Sequence, residues 1–271
     1  MNGDAEIGEL RSLDVDLADC DAAVRERGGT TMTDRTSLRL SATLLLVGQL
    51  GYILVTQLHA DGDANNHPVV FAEYARSGIW TAVHLGQFAS MAILLAGLLA
   101  LFFALDVEGA TARWAGRFGA ASAVATLALY GVLQAVDGVA LKQAVNAWAS
   151  APDAEKAARF ASAEAIRWLE WGVRSYQNFA LGLALLLFAA AVARTAGVPR
   201  AISYLMGLSG LTYLAQGWVG GSEGFSRTHA IAIVLAFVLD VIWMIWLAVF
   251  AWRMQNAAPP ASRGVSEGVG S

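Results

Sequence analysis

Asp240 is the residue whose setting most demands a chemical explanation. It interrupts the run AIAIVLAFVLDVIWMIWLAVFAW, which is otherwise free of charge from Ala230 to Trp252. An ionised aspartate at the centre of a bilayer costs about 2.5–3.5 kcal/mol even on the lenient insertion scale. Such a group must be protonated, paired or hydrated, and burial raises a carboxyl pKa. Asp240 is therefore a candidate proton donor or proton-coupling group. The plainer alternative is a neutral acid hydrogen-bonded to Gln49 or Tyr130.

Other polar side chains recur at helical spacing, where i, i+3, i+4 and i+7 share a face. Gln49, Tyr52, Thr56 and His59 form one stripe, Trp80, His84 and Gln87 a second, and Tyr130, Gln134 and Asp137 a third. Glu170, Arg174 and Gln177 form a fourth with Asn178 beside it, and Ser209, Tyr213 and Gln216 a fifth. Asp240 shares its face with Phe237, Trp243 and Met244. Polar groups of this kind are routine interhelical glue, worth about 0.6–2 kcal/mol each. Six stripes biased toward the same half of the membrane point instead to a polar, aromatic-rimmed cavity. Its expected lining is Gln49, Tyr52, His84, Gln87, Tyr130, Gln134, Asp137, Glu170, Arg174, Gln177, Tyr213, Gln216, Asp240 and Trp243.

Two charged pairings are legible. Glu170 and Arg174 are four apart, in the order that favours an ion pair on a helix. Asp137 and Lys142 are five apart and share an α-helical face poorly, so Asp137 is expected to meet Arg174 on the next helix. Imidazoles suit zinc, copper and haem iron, and His59, His84 and His229 fall at one depth. No histidine pair has the i, i+4 or HExxH spacing of a metal-binding helix. The sequence therefore implies no metal and no cofactor, with those three as the only metal candidates. Phosphate loops, nucleophile elbows and paired metal carboxylates are missing as well.

The elements that position these residues follow from composition. Of 271 residues, 56% are hydrophobic and only 15% charged, against about 25% charged in a soluble domain. The charges gather in the first 39 residues, in short loops and at the far end. Apolar stretches between them are long enough to cross a ~30 Å hydrocarbon core as helices. The expected fold is all-α, a polytopic bundle with six spans: Leu40–Leu58, Ile79–Leu105, Phe118–Leu141, Trp171–Ala193, Ala201–Val219 and Ala230–Trp252. Open sheets would leave backbone groups unsatisfied in lipid, and the ten-residue alternation of a membrane barrel is absent. Residues 37–254 thus form one membrane domain. The acidic segment 1–36 and the Pro/Ser/Gly-rich segment 255–271 read as disordered cytoplasmic tails, and Met32 reads as a second possible start. Pro152 to Arg167 reads as an interfacial helix leading into the fourth span.

Orientation follows the basic residues. Arg113 and Arg117 crowd one short loop and Arg194 and Arg200 another. Arg76, Lys156, Arg159, Arg167 and Arg227 sit in longer, more acidic segments on the other side. Both termini are expected in the cytoplasm. The net charge of −4 leaves no basic footprint for nucleic acid, and the single cysteine, Cys20, can form no internal bridge.

Residues 178–211 read NFALGLALLLFAAAVARTAGVPRAISYLMGLSGL, a long apolar helix, a basic Val198-Pro199-Arg200 turn and a Gly- and Leu-rich helix. The segment containing Phe71, Tyr74 and Trp80 precedes a helix ending in LLALFFAL. Across about Arg39 to Arg253 this pattern resembles uncharacterised bacterial six-helix membrane proteins that carry a domain of unknown function. The resemblance implies a bacterial inner-membrane protein and carries over no catalytic residue. The functional expectation is binding or transport of a small lipophilic molecule in an outward-opening cavity, with membrane lipids as neighbours. The alternatives are an embedded enzyme using Asp240 or Asp137 as the acid on a prenyl-type substrate, and a non-catalytic assembly or sensor protein.

Overall fold

The computed structural model describes residues 35–60 and 62–254. Both expected tails, apart from Arg35 and Thr36, lie outside the described residues, as does Met32. The described residues form eight α-helices and one π-helical segment. In chain order these are α1 (Arg35–Thr56), α2 (His67–Arg76), α3 (Trp80–Ala104), α4 (Ala110–Gln134), the π turn (Ala135–Leu141), α5 (Lys142–Ala149), α6 (Asp153–Val192), α7 (Arg200–Glu223) and α8 (Arg227–Arg253). Five helical stretches are long and apolar enough to cross a membrane: α1, α3, the continuous run Ala110–Ala149, α6 and α8. This is a multi-pass helical membrane protein. The fifth expected span falls within α7, whose 24 residues include five glycines and three serines and so carry a weaker apolar signal.

The long helices close into a ring. α1 packs along α3 on one side and α8 on the other, α8 on α7, α7 on α6, α6 on α4, and α4 returns to α3. Leu, Ala, Met and Phe side chains fill the end of the ring where the chain enters, with Leu38, Leu45, Leu98, Leu101, Phe188 and Leu247 fully buried. Outward-facing side chains are large and apolar too: Leu54, Phe103 and Trp218 are 67%, 75% and 72% exposed, which suits a lipid-facing surface. Arg39 ties the ring shut at this end. Its Nε donates to the Ala251 carbonyl at 3.1 Å and its Nη2 to the Trp252 carbonyl at 3.1 Å.

Gly182 and Gly210 set the distance between α6 and α7. A Cβ on Gly182 would sit 2.7 Å from the Gly210 carbonyl oxygen, and one on Gly210 would sit 2.9 Å from the Gly182 carbonyl oxygen. Gly48 packs equally tightly on the backbone of Leu94. Small residues thus permit backbone contact where lipid offers no hydrophobic drive.

The opposite end carries an unexpected second core. The segment between the first two spans, expected as a loop, contains α2, begun by Pro68 in its first turn. Proline suits that position because its missing N–H has no helical partner there. Phe71, Val70 and Tyr74 of α2 pack with Trp80, Leu141, Val145 and Ala163, with Trp148 and Phe160 against them. α6 is one unbroken 40-residue helix, so the expected interfacial helix and the fourth span are a single rod. The third span likewise runs past Leu141 through α5. Together α2, α5 and the first half of α6 form a cap over the ring.

Lys142 fastens that cap. Its Nζ donates to the carbonyl oxygens of Tyr74 at 2.5 Å, Ala75 at 2.9 Å and Ser77 at 3.1 Å. Carbonyls at a helix C-terminus have no helical partner, and a cation there also complements the helix dipole. Lys142→Met is expected to cost about 2 kcal/mol, since hydrogen bonds to charged groups contribute about 1.5–3 kcal/mol each and water recovers part of them. The readout is a lower unfolding midpoint in detergent together with faster proteolysis after Arg76.

Candidate functional site

Two polar layers occupy the ring interior, one at mid-depth and one beneath the cap. In the middle layer Asp240 is 2% exposed. Its Oδ2 accepts from the Tyr213 hydroxyl at 2.8 Å and its Oδ1 from Trp243 Nε1 at 3.0 Å. Its expected partners, Gln49 and Tyr130, are not the ones it takes. Tyr213 is i+4 from Ser209 on α7, and Trp243 is i+3 from Asp240 on α8, so the α7–α8 interface supplies both donors. Tyr130 and Tyr52 meet edge-on, with ring centroids 6.1 Å apart, and Tyr52 meets Phe237 at 5.9 Å. Gln49 Nε2 and Gln177 Nε2 are buried with no hydrogen-bond partner. Gln216 Nε2 donates to the Ala232 carbonyl at 3.3 Å, and Gln87 Nε2 to Thr56 Oγ1 at 3.4 Å. All six stripes therefore turn inward, as their spacing requires.

Beneath the cap the charges converge. Asp137 lies in the π turn, where wider winding re-aims side chains relative to an α-helix; such turns recur at functional sites. His84 Nε2 lies 3.2 Å from Asp137 Oδ2, and Arg174 Nη2 lies 4.0 Å from the same oxygen. The expected Asp137–Arg174 approach is present, and His84 stands closer. Glu170 takes Arg167 as its main partner through Oε2 and Nη1, while Arg174 Nε lies 3.8 Å from Glu170 Oε1. Arg167 and Glu170 are 2% and 1% exposed. Arg167 also donates from Nη2 to the Ala64 carbonyl at 3.2 Å.

The Phe225 ring lies against both guanidiniums. Arg167 Cζ stands 4.7 Å and Arg174 Cζ 5.2 Å from its ring centroid. Gly224 makes this placement possible. It takes φ +66°, and a Cβ there would come within 2.4 Å of the Trp171 ring. Asn65 locks the loop by accepting from the Phe225 N–H at 2.9 Å and donating to the Glu223 carbonyl at 3.1 Å.

The histidines divide. His59 and His84 have ring centroids 5.3 Å apart, and Trp80 flanks both, at 5.0 Å from His59 and 4.4 Å from His84. Each has Nδ1 on a backbone carbonyl, His84 on Trp80 at 2.9 Å and His59 on Ala60 at 3.2 Å. Because a carbonyl only accepts, Nδ1 carries the proton in both rings. Burial lowers the His59 pKa below its ordinary value, so this ring is neutral at neutral pH. His229 stays apart, 5.3 Å from the Phe225 ring with Nε2 buried and unpartnered. The three candidate histidines do not converge on one point. His59 and His84 meet Asp137 instead, with one ligand atom from each of the three residues within 4.8 Å of the others.

A cleft opens on the flank of the ring at the α3–α4 joint. Its volume is about 340 Å³, and Thr81, His84, Leu85, Phe88, Gly131, Gln134, Ala135, Gly138 and Val139 line it. Leu85 and Val139 at its rim face the surroundings, 66% and 58% exposed. Both polar atoms of the Gln134 amide are buried there without partners.

A family model described as a domain of unknown function, DUF4386, matches residues 42–250. The chain belongs to the DUF4386 family. No curated protein and no solved structure matches it. The DUF4386 region takes in both polar layers, from Gln49 to Trp243, so they belong to the family's domain and not to its flanks. Arg167 and the π turn escaped the sequence reading. Arg167 follows Glu155, Lys156, Arg159 and Glu164 in a run that reads as solvated surface, and its only signal was the i, i+3 spacing to Glu170.

Proposed function

We propose that this protein is a six-span membrane protein that binds, and delivers or transports, a small lipophilic molecule entering from the bilayer through the α3–α4 cleft. The observation carrying this reading is the cleft itself. It is apolar along Leu85, Phe88 and Val139, ends on His84 and the unpartnered Gln134 amide, and falls within the ~300–1,000 Å³ range of ligand sites. A chain-like ligand lying there brings its polar end to the layer beneath the cap. The access route is thus lateral, where the polar stripes alone had suggested an opening straight outward.

Six crossings, with α7 among them, suit the Arg39 bonds to Ala251 and Trp252. These bonds bring the start of α1 and the end of α8 together at one end of the bundle, which supports an even number of crossings. With the basic loops at that end, the positive-inside rule puts both termini in the cytoplasm of a bacterial cell and the cap outside. Asp240, with both carboxyl oxygens engaged, is assigned to holding α7 against α8, and the binding role passes to His84, Gln134 and Asp137.

Photolabelling in proteoliposomes with a diazirine-bearing fatty acid tests the reading. Label is expected to concentrate on Leu85, Phe88 and residues 131–139. Gly131→Phe, whose Cβ meets only an ordinary contact with Phe88 at 3.7 Å, is expected to fill the cleft and abolish that concentration. Labelling spread evenly over Leu54, Phe103 and Trp218 as well, and unchanged in the variant, rejects the cleft as a binding site.

A further inference from the structure

We infer that His59, His84 and Asp137 form a binding site for one divalent first-row transition-metal ion. The inference shares His84 and Asp137 with the function proposed above, and its test reads metal binding with no lipophilic ligand present. Three features of different origin point to it.

The first is the donor set. Two imidazoles and a carboxylate are the ligands of catalytic zinc sites and of non-haem iron(II) sites alike. The ligand atoms of the three residues lie within 4.8 Å of one another. Ligands at about 2.0–2.1 Å around a tetrahedral ion are about 3.4 Å apart, so closing on an ion needs a shift of about an ångström. His59 has room for such a shift, since it follows the end of α1 in a turn and is only half-buried.

The second is tautomer control. Both rings spend Nδ1–H on a backbone carbonyl, the outer-shell contact that fixes a metal-ligating imidazole and leaves Nε2 its lone pair. His84 Nε2 is buried with no hydrogen-bond partner although Asp137 stands 3.2 Å away. Asp137 Oδ1 is likewise buried and unpartnered, in a residue 2% exposed. With Nδ1 carrying the ring proton, the Nε2 lone pair of His84 faces a carboxylate oxygen at 3.2 Å, a contact that needs a proton or a cation between the two atoms, and a shared ion supplies that cation.

The third is backbone geometry. The π turn aims Asp137 at the histidines, and Gly138 beside it leaves no side chain to obstruct: a Cβ there would stand 2.9 Å from His84 Cβ. His84 is packed directly on the π turn, and Trp80 Nε1 donates to the Gly138 carbonyl at 3.1 Å.

Charge sets a further condition. Asp137 and Glu170 balance Arg167 and Arg174 in this layer, so a dication brings two uncompensated charges. Three protein ligands leave a tetrahedral ion one position for water, hydroxide or an anionic group, and Arg174, 4.0 Å from Asp137, stands where it can pair with such an anion. His84 also lines the lateral cleft, so the polar end of a molecule in the cleft lies within reach of the ion.

The experiment uses the full-length protein purified in detergent, stripped with a chelator and titrated with cobalt(II), whose visible d–d bands report tetrahedral nitrogen and oxygen ligation. One equivalent is expected to bind. Zinc(II) and iron(II), added in competition, identify the preferred ion. His59→Gln and Asp137→Asn are each expected to weaken binding by at least about 100-fold, beyond the 10–100-fold typical of losing an outer-shell contact. His229→Gln is expected to bind like the wild type. His59→Gln is decisive for folding concerns, because His59 lies outside the helices and its variant should elute as the wild type does. Absence of cobalt bands in the wild type overturns the inference. So does unchanged cobalt affinity in His59→Gln.

Discussion

Arg167→Met is expected to lower the unfolding midpoint of the detergent-solubilised protein by about 6–20 °C. Removing one member of a buried ion pair costs about 3–5 kcal/mol, and each kcal/mol moves the midpoint of a domain of this size by about 2–4 °C. The cost arises from Glu170, which is 1% exposed and loses its closest partner. Arg174, 3.8 Å away and also facing Asp137, compensates it only in part. Loss of the Arg167 bond to the Ala64 carbonyl also frees the segment after α1. The double variant Arg167→Met/Glu170→Leu is expected to recover most of the loss, because it removes both charges together. A midpoint for Arg167→Met within a degree of wild type shows that water, and not Arg167, solvates Glu170.

The second large effect is expected at the α6–α7 contact. Gly182→Ala places a methyl group 2.7 Å from the Gly210 carbonyl oxygen and against Leu214. Side-chain rotation relieves the clash with Leu214 but not the one with a carbonyl, so the two helices must separate along their length. Overpacking typically costs about 1–3 kcal/mol, and a backbone-against-backbone clash belongs at or above the top of that range. Thermal scans and gel filtration of Gly182→Ala should show a lower midpoint or loss of the monodisperse species. Gly172→Ala, ten residues earlier on the same helix, is the control. Nothing lies within 4 Å of its added Cβ, so it should stabilise by about 0.5–1 kcal/mol, the ordinary difference between glycine and alanine in a helix. Equal effects at the two positions rule out close helix contact as the cause.

The membrane helices and the faces they turn inward were legible because both rest on periodicity. Gln49, Tyr52 and Thr56, or Tyr130, Gln134 and Asp137, announce a face by spacing alone, and in lipid that face has nowhere to go but inward. Which residue on one face meets which on another was not legible. Asp240 takes Tyr213 and Trp243 because α8 lies beside α7, whereas the sequence is silent on neighbour order around the ring. The cap was missed for a compositional reason. α2 is short and mixes His67, Glu73 and Arg76 with Val70, Phe71 and Tyr74, which reads as an interfacial loop until α5 and α6 supply its apolar partners. The π turn had only an indirect trace. Asp137 and Lys142 are five apart and share an α-helical face poorly, Lys142 bonds elsewhere, and no residue type compels the wider winding. The histidine grouping was half legible. His59 and His84 share a depth with His229, yet only the turn after α1 and the π turn decide that Asp137, and not His229, completes the set.

The π turn also constrains how this gene can change. Such a turn arises when a helix absorbs one additional residue without breaking. Deleting a single codon between Ala135 and Leu141 would let the rod relax to ordinary winding with the helices on either side close to their present register, so the change would fall on the residues of the turn itself. Lys142 would keep the carbonyls of Tyr74, Ala75 and Ser77 within reach, whereas Asp137 would lose the widened winding that aims it at His84. A one-residue deletion within those seven residues is therefore expected to leave the cap seated while withdrawing the Asp137 carboxylate from the histidines.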